Sequence, residues 1–319
     1  MRVRRIVMFV AAWLGAGSAL AAYPERPIRY IIPSAAGGGP DTAARVVMAE
    51  LGKVLGQQIV VDNRPGASGA IGTELIVKAT PDGYTIGHGN IATLGINRSV
   101  LKLPYNLDRD VLPVAQMYFT PNLLGVTQSL PVKSVSELIA HAKKNPGQLF
   151  YASTGSGTSI HLSGELFQLR TGTKMVHVPF KAAAAAIVDL TAGRVHLMFD
   201  NINSIGPHVR AGKVRGLAVT SGKRVASFPD LPTVAEAGVE GFDVVAWAGV
   251  IVPAGVPRPI LARLNQALNA VLASSTVIEK LRFQGLEVVG GTADEFAAHI
   301  RKEAARWADV VKRAGVKLE

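Results

Sequence analysis

Cysteine is missing from all 319 residues. No disulfide can form, and no lipid can be carried on an N-terminal cysteine. A chain of this length without cross-links relies on a large core, and suits one large or two ordinary domains. Long apolar runs are missing as well: no segment past residue 22 is apolar enough to cross a bilayer, which takes about 20 residues. Blocks of five or more like charges are absent, so the formal charge of +11 is spread along the chain. That pattern reads as a solvated basic surface, or as a field that draws in anionic solutes. Basic clusters interleaved with aromatic residues are absent too, which argues against a nucleic-acid partner. Catalytic and cofactor signatures are equally scarce. No G-x-S-x-G elbow surrounds Ser68 or Ser156 and H-E-x-x-H does not occur. "GGGPDT" lacks the third glycine of G-x-G-x-x-G, and G-x-x-x-x-G-K-[ST] is nowhere present. His177, His196 and His208 show no zinc-ligand spacing. The expectation is a protein without metal or cofactor, and not an enzyme.

What is there begins with a leader. "MRVRR" is basic, Ile6 to Leu14 is apolar and short, and "ALAA" at 19–22 is small. This predicts a secretory signal peptide over residues 1–21, with Ala19 and Ala21 where a signal peptidase reads. Its removal, with Arg2, Arg4 and Arg5, takes the formal charge from +11 to +8. The mature chain is therefore expected outside the cytoplasm, in the periplasm, soluble.

Beyond the leader, short apolar runs alternate with longer helical patterns. Strands are predicted at 28–32, 58–63, 123–128 and 149–154, with further ones in "PDGYTIGHG", "MVHVPF", "VHLMFDN" and "VRGLAVTS". Helices are predicted over 41–55, 70–79, 134–144, 182–192, 259–273 and 293–314. Ser134 and Glu137 have the spacing of a capping box. Such alternation implies parallel sheet covered by helices, an α/β class.

Two turns attract attention. "PSAAGGGPD" follows the first strand, at the carboxyl end where open α/β sheets bind ligands. Gly37, Gly38 and Gly39 let the backbone come close, and the N–H groups opening the next helix lack internal partners. Together they suit a carboxylate or phosphate; a ligand-free structural turn is the alternative. Asp41 is expected as the N-cap of that helix, taking some of those donors itself. The second turn, Thr154-Gly155-Ser156-Gly157-Thr158-Ser159, adds hydroxyl donors at another strand exit. His161 and Glu165, four apart, either share a metal or make a local hydrogen bond. A hydrolase pairing Ser156 with His161 is a further reading. Asp200, at a strand end, either accepts a hydrogen bond from a ligand or bonds its own backbone. Trp247 either stacks on a ligand or packs in the core.

The order of "YPERPIRYIIPSAAGGGPDTAARVV", "DNRPGASGAIGTELIVKATPDGYTI", "DLTAGRVHLMFDN", "GKVRGLAVTS", "RVASFPDLPTVAEAG" and "WAGVIVPAGVPRPILARLN" closely resembles the Bug receptors. These are the extracytoplasmic solute-binding proteins of tripartite tricarboxylate transporters, and the likeness runs from Tyr23 to the C-terminus. The resemblance implies a two-lobed periplasmic binding protein, type II, a flytrap of two α/β domains with the ligand cleft between them. Residues 22–122 plus 247–319 would form the first lobe and 123–246 the second. Family ligands are small carboxylates: dicarboxylic acids, acidic amino acids and aromatic acids. The positions carried over as ligand-binding are Ala36, Gly37, Gly38 and Asp41, then Asn90 and Thr93. Thr154, Gly155, Ser156, Gly157, Thr158 and His161 follow, with Asp200. Three positions depart from the family pattern. Ser34 stands where an aromatic residue is usual, Ala182 where glycine is usual, and Arg98 where proline is common. The implied function is delivery of a carboxylate to a membrane permease by a monomeric receptor. The alternative is a ligand sensor that docks on a sensor kinase without transport.

Overall fold

The computed structural model describes residues 23–315; the expected signal peptide lies outside them. The chain opens with β1 (Ile28–Ile32), α1 (Gly39–Leu55), β2 (Ile59–Asn63), α2 (Ala70–Val77) and β3 (Thr85–Asn90). A π-helical turn, Ile91–Ile96, leads into the short helices α3 (Asn97–Val100) and α4 (Leu107–Asp110). Next come β4 (Val111–Thr127), α5 (Val135–Lys144), β5 (Phe150–Ser153), α6 (Ser159–Thr171) and β6 (Val176–Pro179). They are followed by α7 (Ala183–Thr191), β7 (Leu197–Asn201), α8 (Ile202–Arg210) and β8 (Val214–Val219). The chain returns through β9 (Val245–Pro253), α9 (Arg258–Leu272), α10 (Ser275–Phe283), β10 (Glu287–Gly290) and α11 (Ala293–Ala314).

Strands pair in the order β2-β1-β3-β9-β4-β7-β5-β6, with β8 and β10 also on β4. The sheet is mixed where the alternation predicted all-parallel. β1 pairs in parallel with β2 and β3, and β5 with β6 and β7. The central strands β4 and β9 run antiparallel to each other and to β3 and β7. The reason is β4, which is long enough to belong to two sheets. Val111 to Pro121 pairs with β9 and β10, and Asn122 to Thr127 pairs with β7 and β8.

Each lobe has helices over its sheet. In β1, Ile28, Tyr30 and Ile32 face one apolar cluster and Ile31 faces another, as alternation along a strand requires. Apart from the exposed Arg29, "IRYII" is apolar and buried on both faces, as a strand covered on both sides requires. Helix α1 presents Ala43, Ala44, Val47, Met48, Leu51 and Leu55 to the same cluster as Tyr30. Full burial of a side chain such as Leu51 contributes about 1.5–3 kcal/mol. Gly56, at φ 74°, ends that helix in the left-handed region. On the far side of the first sheet α11 buries Phe296, Ile300, Trp307, Val310 and Val311 and packs against α6 of the second lobe. Its start is fixed by a reciprocal capping box between Thr292 and Glu295. At α5 only half of the expected box forms. Ser134 Oγ accepts from the Glu137 N–H, while the Glu137 carboxylate accepts from the Lys133 N–H.

Candidate functional site

A cavity of about 190 Å³ lies between the two lobes. The first sheet and its helices contribute Gly39, Pro40, His88, Asn90, Tyr118 and Thr120 to its wall. The second contributes Thr154, Thr158, Ser159, Ile160, Asn201 and Asn203. Ala246, Trp247 and Ala248 of β9 close one side. No Lys, Arg, Asp or Glu is among the lining residues. The ring of His88 is held neutral, because burial pulls its pKa down to about 4.

Three helices start at this cavity. The N-cap of α1 is Gly38, with Gly39 and Pro40 in the first turn. Asp41 is therefore not the cap. It is the third residue of the first turn, 2 % exposed, and its carboxylate accepts from the Gly37 N–H at 2.8 Å, from Arg45 Nε at 3.0 Å and from Asn63 Nδ2 at 3.0 Å. Desolvation pushes its pKa up, but hydrogen bonds from Arg45, Gly37 and Asn63 outweigh it and hold the carboxyl below the usual range. Proline at the second helical position explains the shift, since it needs no N–H there and fixes φ for the first turn.

Helix α6 is capped by Thr158, whose Oγ1 accepts from the His161 N–H and donates to the Gly155 carbonyl. That leaves the first-turn N–H groups of Ser159 and Ile160 without helical acceptors, at the positive end of a 13-residue helix. Helix α8 starts at Asn201, and both Asn201 and Asn203 line the cavity. The buried Asn201 Oδ1 has no partner among the described residues. A Cβ added to Gly39 would stand 3.2 Å from Asn203 Nδ2, so the α1 and α8 starts meet across the cleft.

Of the residues expected at the site, Asn90, Thr154 and Thr158 line the cavity. Asn90 and Thr93 cap the π-helical turn reciprocally, Thr93 N–H to Asn90 Oδ1 and Asn90 N–H to Thr93 Oγ1. Gly38, Gly155, Gly157 and Asp200 are each next in sequence to a lining residue. Ala36, Gly37 and Ser156 lie further along the same turns, Ala36 and Gly37 exposed. Ser34 is half-buried, its Oγ without a partner among the described residues. Ala182 is exposed at the start of α7 with an extended φ of −152°, and is not in the wall. Arg98 also stays out of it, since its guanidinium donates to the Leu94 carbonyl and pairs with Asp108.

His161 is turned inward. Its Nδ1 accepts from the Gly157 N–H at 3.1 Å, its Nε2 stands 3.7 Å from Glu165, and its ring stacks on His177 at 3.9 Å. Asp200 is fully buried and accepts from the Asn201 N–H and Ser204 Oγ; burial raises its pKa to about 6. Trp247 is 1 % exposed and donates to Glu303 at 3.2 Å while still bordering the cavity. His88, Tyr118, Thr120, Asn201 and Asn203 escaped the sequence reading. The polar pair Asn201 and Asn203 after a strand carried a signal, but no glycine marked that turn.

The arrangement suits an anion and is built from neutral groups: helix N-termini, hydroxyls and amides in a site walled on both sides. Comparison with known proteins supplies the family. Residues 43–316 match the family model described as the tripartite tricarboxylate transporter family receptor. Protein BugT of Bordetella pertussis is 38% identical over 98% of this chain and 97% of its own. A solved R. palustris protein with adipate is 40% identical, covers 92% of this chain and 99% of its own, and superposes with a TM-score of 0.85. MatC from Rhodopseudomonas palustris with bound malate is 34% identical over 91% of this chain and 100% of its own, with a TM-score of 0.81. The two-lobed α/β fold, the neutral cleft and these matches together identify the chain as a member of the tripartite tricarboxylate transporter receptor family, whose proteins bind solutes.

Proposed function

We propose that this chain is a periplasmic receptor that captures a small organic carboxylate between its lobes and hands it to the permease subunits of a tripartite tricarboxylate transporter. The observation that carries this is a cavity walled from both lobes, three helix N-termini at its edge and no charged side chain in its wall. Helix N-termini favour an anion, while a buried fixed cation is absent from the wall, which keeps release easy. Relatives bound to adipate and malate support the ligand class. We assign residues up to Pro121 and from Val245 to the first lobe, following the change of pairing partners after Pro121 in β4 and the start of β9 opposite it. The same cleft accounts for closure: a ligand that touches both walls stabilises only the closed form.

A thermal-shift screen of mono- and dicarboxylates tests the reading. A binder at one hundred times its dissociation constant stabilises the fold by about 2.7 kcal/mol. No stabiliser in the panel would falsify it. Unchanged uptake of the identified acid in a deletion strain would refute the delivery step alone.

A further inference from the structure

His88 has no place in the reading so far, yet it lines the cavity from the first lobe. It is 1 % exposed on β3, and Tyr30 Oη lies 2.9 Å from its Nδ1. Its other ring nitrogen, Nε2, is buried and has no partner among the described residues. Tyr30 is itself fully buried on the neighbouring strand β1 and is not part of the cavity wall. The ring is thus tethered on its Nδ1 side and left without a partner on its Nε2 side.

Counting donors and acceptors decides the tautomer. If Nδ1 carried the proton and gave it to Tyr30, the tyrosine O–H would itself be left without an acceptor, and Nε2 would be a bare lone pair. If Tyr30 donates to Nδ1, the tyrosine O–H and Nδ1 are both satisfied and one need remains, an acceptor for Nε2–H. An unmade buried hydrogen bond is costly, and the second arrangement leaves one where the first leaves two, so the second wins. The neutral ring then holds a single unpartnered donor, Nε2–H, in a residue of the cavity wall.

Resting on the carboxylate reading, we propose that His88 Nε2–H is a seat for a second oxygen acceptor on the ligand. This seat lies on the first-lobe wall, which leaves the α6 start in the second-lobe wall for the first carboxylate. Tyr30 is the positioning residue that fixes the tautomer. The site is then matched to acids that carry a second carboxylate, hydroxyl or keto oxygen along the chain. A plain hydrocarbon acid leaves the buried donor unpaired and is rejected. Sites that hydrogen-bond a substrate group discriminate strongly against analogues lacking it.

The test compares matched acids of equal chain length by calorimetry: succinate with butyrate, glutarate with pentanoate, adipate with hexanoate. The diacid of the best-fitting length is expected to bind roughly tenfold or more tighter than its monoacid. His88→Leu should erase that margin while changing the monoacid little, and His88→Gln, which keeps a donor, should restore part of it. Tyr30→Phe should weaken diacid binding by a smaller factor. Equal binding of the pair in the unaltered protein, or an equal loss for both acids in His88→Leu, overturns the seat and leaves the carboxylate reading standing. No binding by any acid of either series overturns both. Histidine-selective nitrogen NMR of the unaltered protein gives a reading independent of any variant's folding. A proton on Nε2 is expected, and one on Nδ1 overturns the assignment.

Discussion

At the scale of single residues, this protein keeps several ionisable groups in states they would not hold in water. Burial lowers the pKa of His88 and His177 to about 4, and burial with the neighbouring His177 lowers that of His161 to about 3, from an ordinary 6.5. His177 Nε2 meets Ser153 Oγ at 2.6 Å and His161 Nδ1 takes the Gly157 N–H, so both rings brace the turn that leads to Thr158. The unfolded chain takes up protons on these rings below pH 6.5, whereas the fold refuses them until about pH 4 or below. Their contribution to stability is full above 6.5 and is lost as the pH falls. Asp200, raised to about 6, and Glu165, raised mainly by burial, work the other way, because the fold holds their protons where the unfolded chain has released them. Three groups outweigh two. The melting temperature followed by calorimetry should fall between pH 6.5 and pH 4.5, and a flat or rising profile would show that the histidines are solvated.

Elements explain which parts of the fold could be read in advance. Helices α1, α5 and α11 were legible, because an apolar stripe and the residues that flank it are local. The first half of β4 was not. "VLPVAQMYFTPNLLG" carries Pro113 and Pro121, which read as loop punctuation, yet β4 and β9 stay paired through register shifts beside Pro113 and Gln116. Proline survives in a strand where the ladder is irregular. β10 has only four residues, none of them buried, and gave no pattern. The antiparallel core that these strands build depends on close approach. Gly249 of β9 lies under Phe296 of α11, and an added Cβ would come within 2.5 Å of the Ala115 carbonyl oxygen as well as the ring. Gly249→Ala should therefore destabilise the fold by about 1–3 kcal/mol as overpacking. Urea unfolding measures it, and a neutral result would mean that β9 and α11 separate easily.

For the whole molecule, closure is the property to test. The described lobes are joined by β4, by the chain entering β9 at Val244–Val245, and by apolar packing of α11 on α6. Trp247 and Trp307 both donate to the buried Glu303, at 3.2 and 3.0 Å, which ties the β9 crossing to α11. Opening must then act at the far side, where Gly39 faces Asn203. The chain contains no cysteine, so Gly39→Cys with Asn203→Cys introduces a single reporting pair. A disulfide needs Cβ atoms about 3.5–4.5 Å apart, a separation that lips drawn together by a ligand approach and open lips do not. Adipate, if bound, should speed cross-linking under mild oxidation, read on non-reducing gels. A rate indifferent to a ligand that calorimetry shows to bind would refute closure at these lips.

By itself the sequence determined the α/β class, most helices, the two glycine-marked strand exits and the family, since each is written in residues close together along the chain. Composition also determined the absence of disulfide chemistry. Tertiary structure alone decided which strand runs through both lobes, that a third helix start at Asn201 joins the cleft, and that Asp41, His161 and Asp200 spend their hydrogen bonds inside the protein. It alone set Tyr30 against His88, 58 positions apart, leaving one ring nitrogen unpartnered. The physical reason is range: periodicity and capping are local, whereas burial, hydrogen-bond satisfaction and the walls of a cavity depend on segments that meet only when the chain has folded.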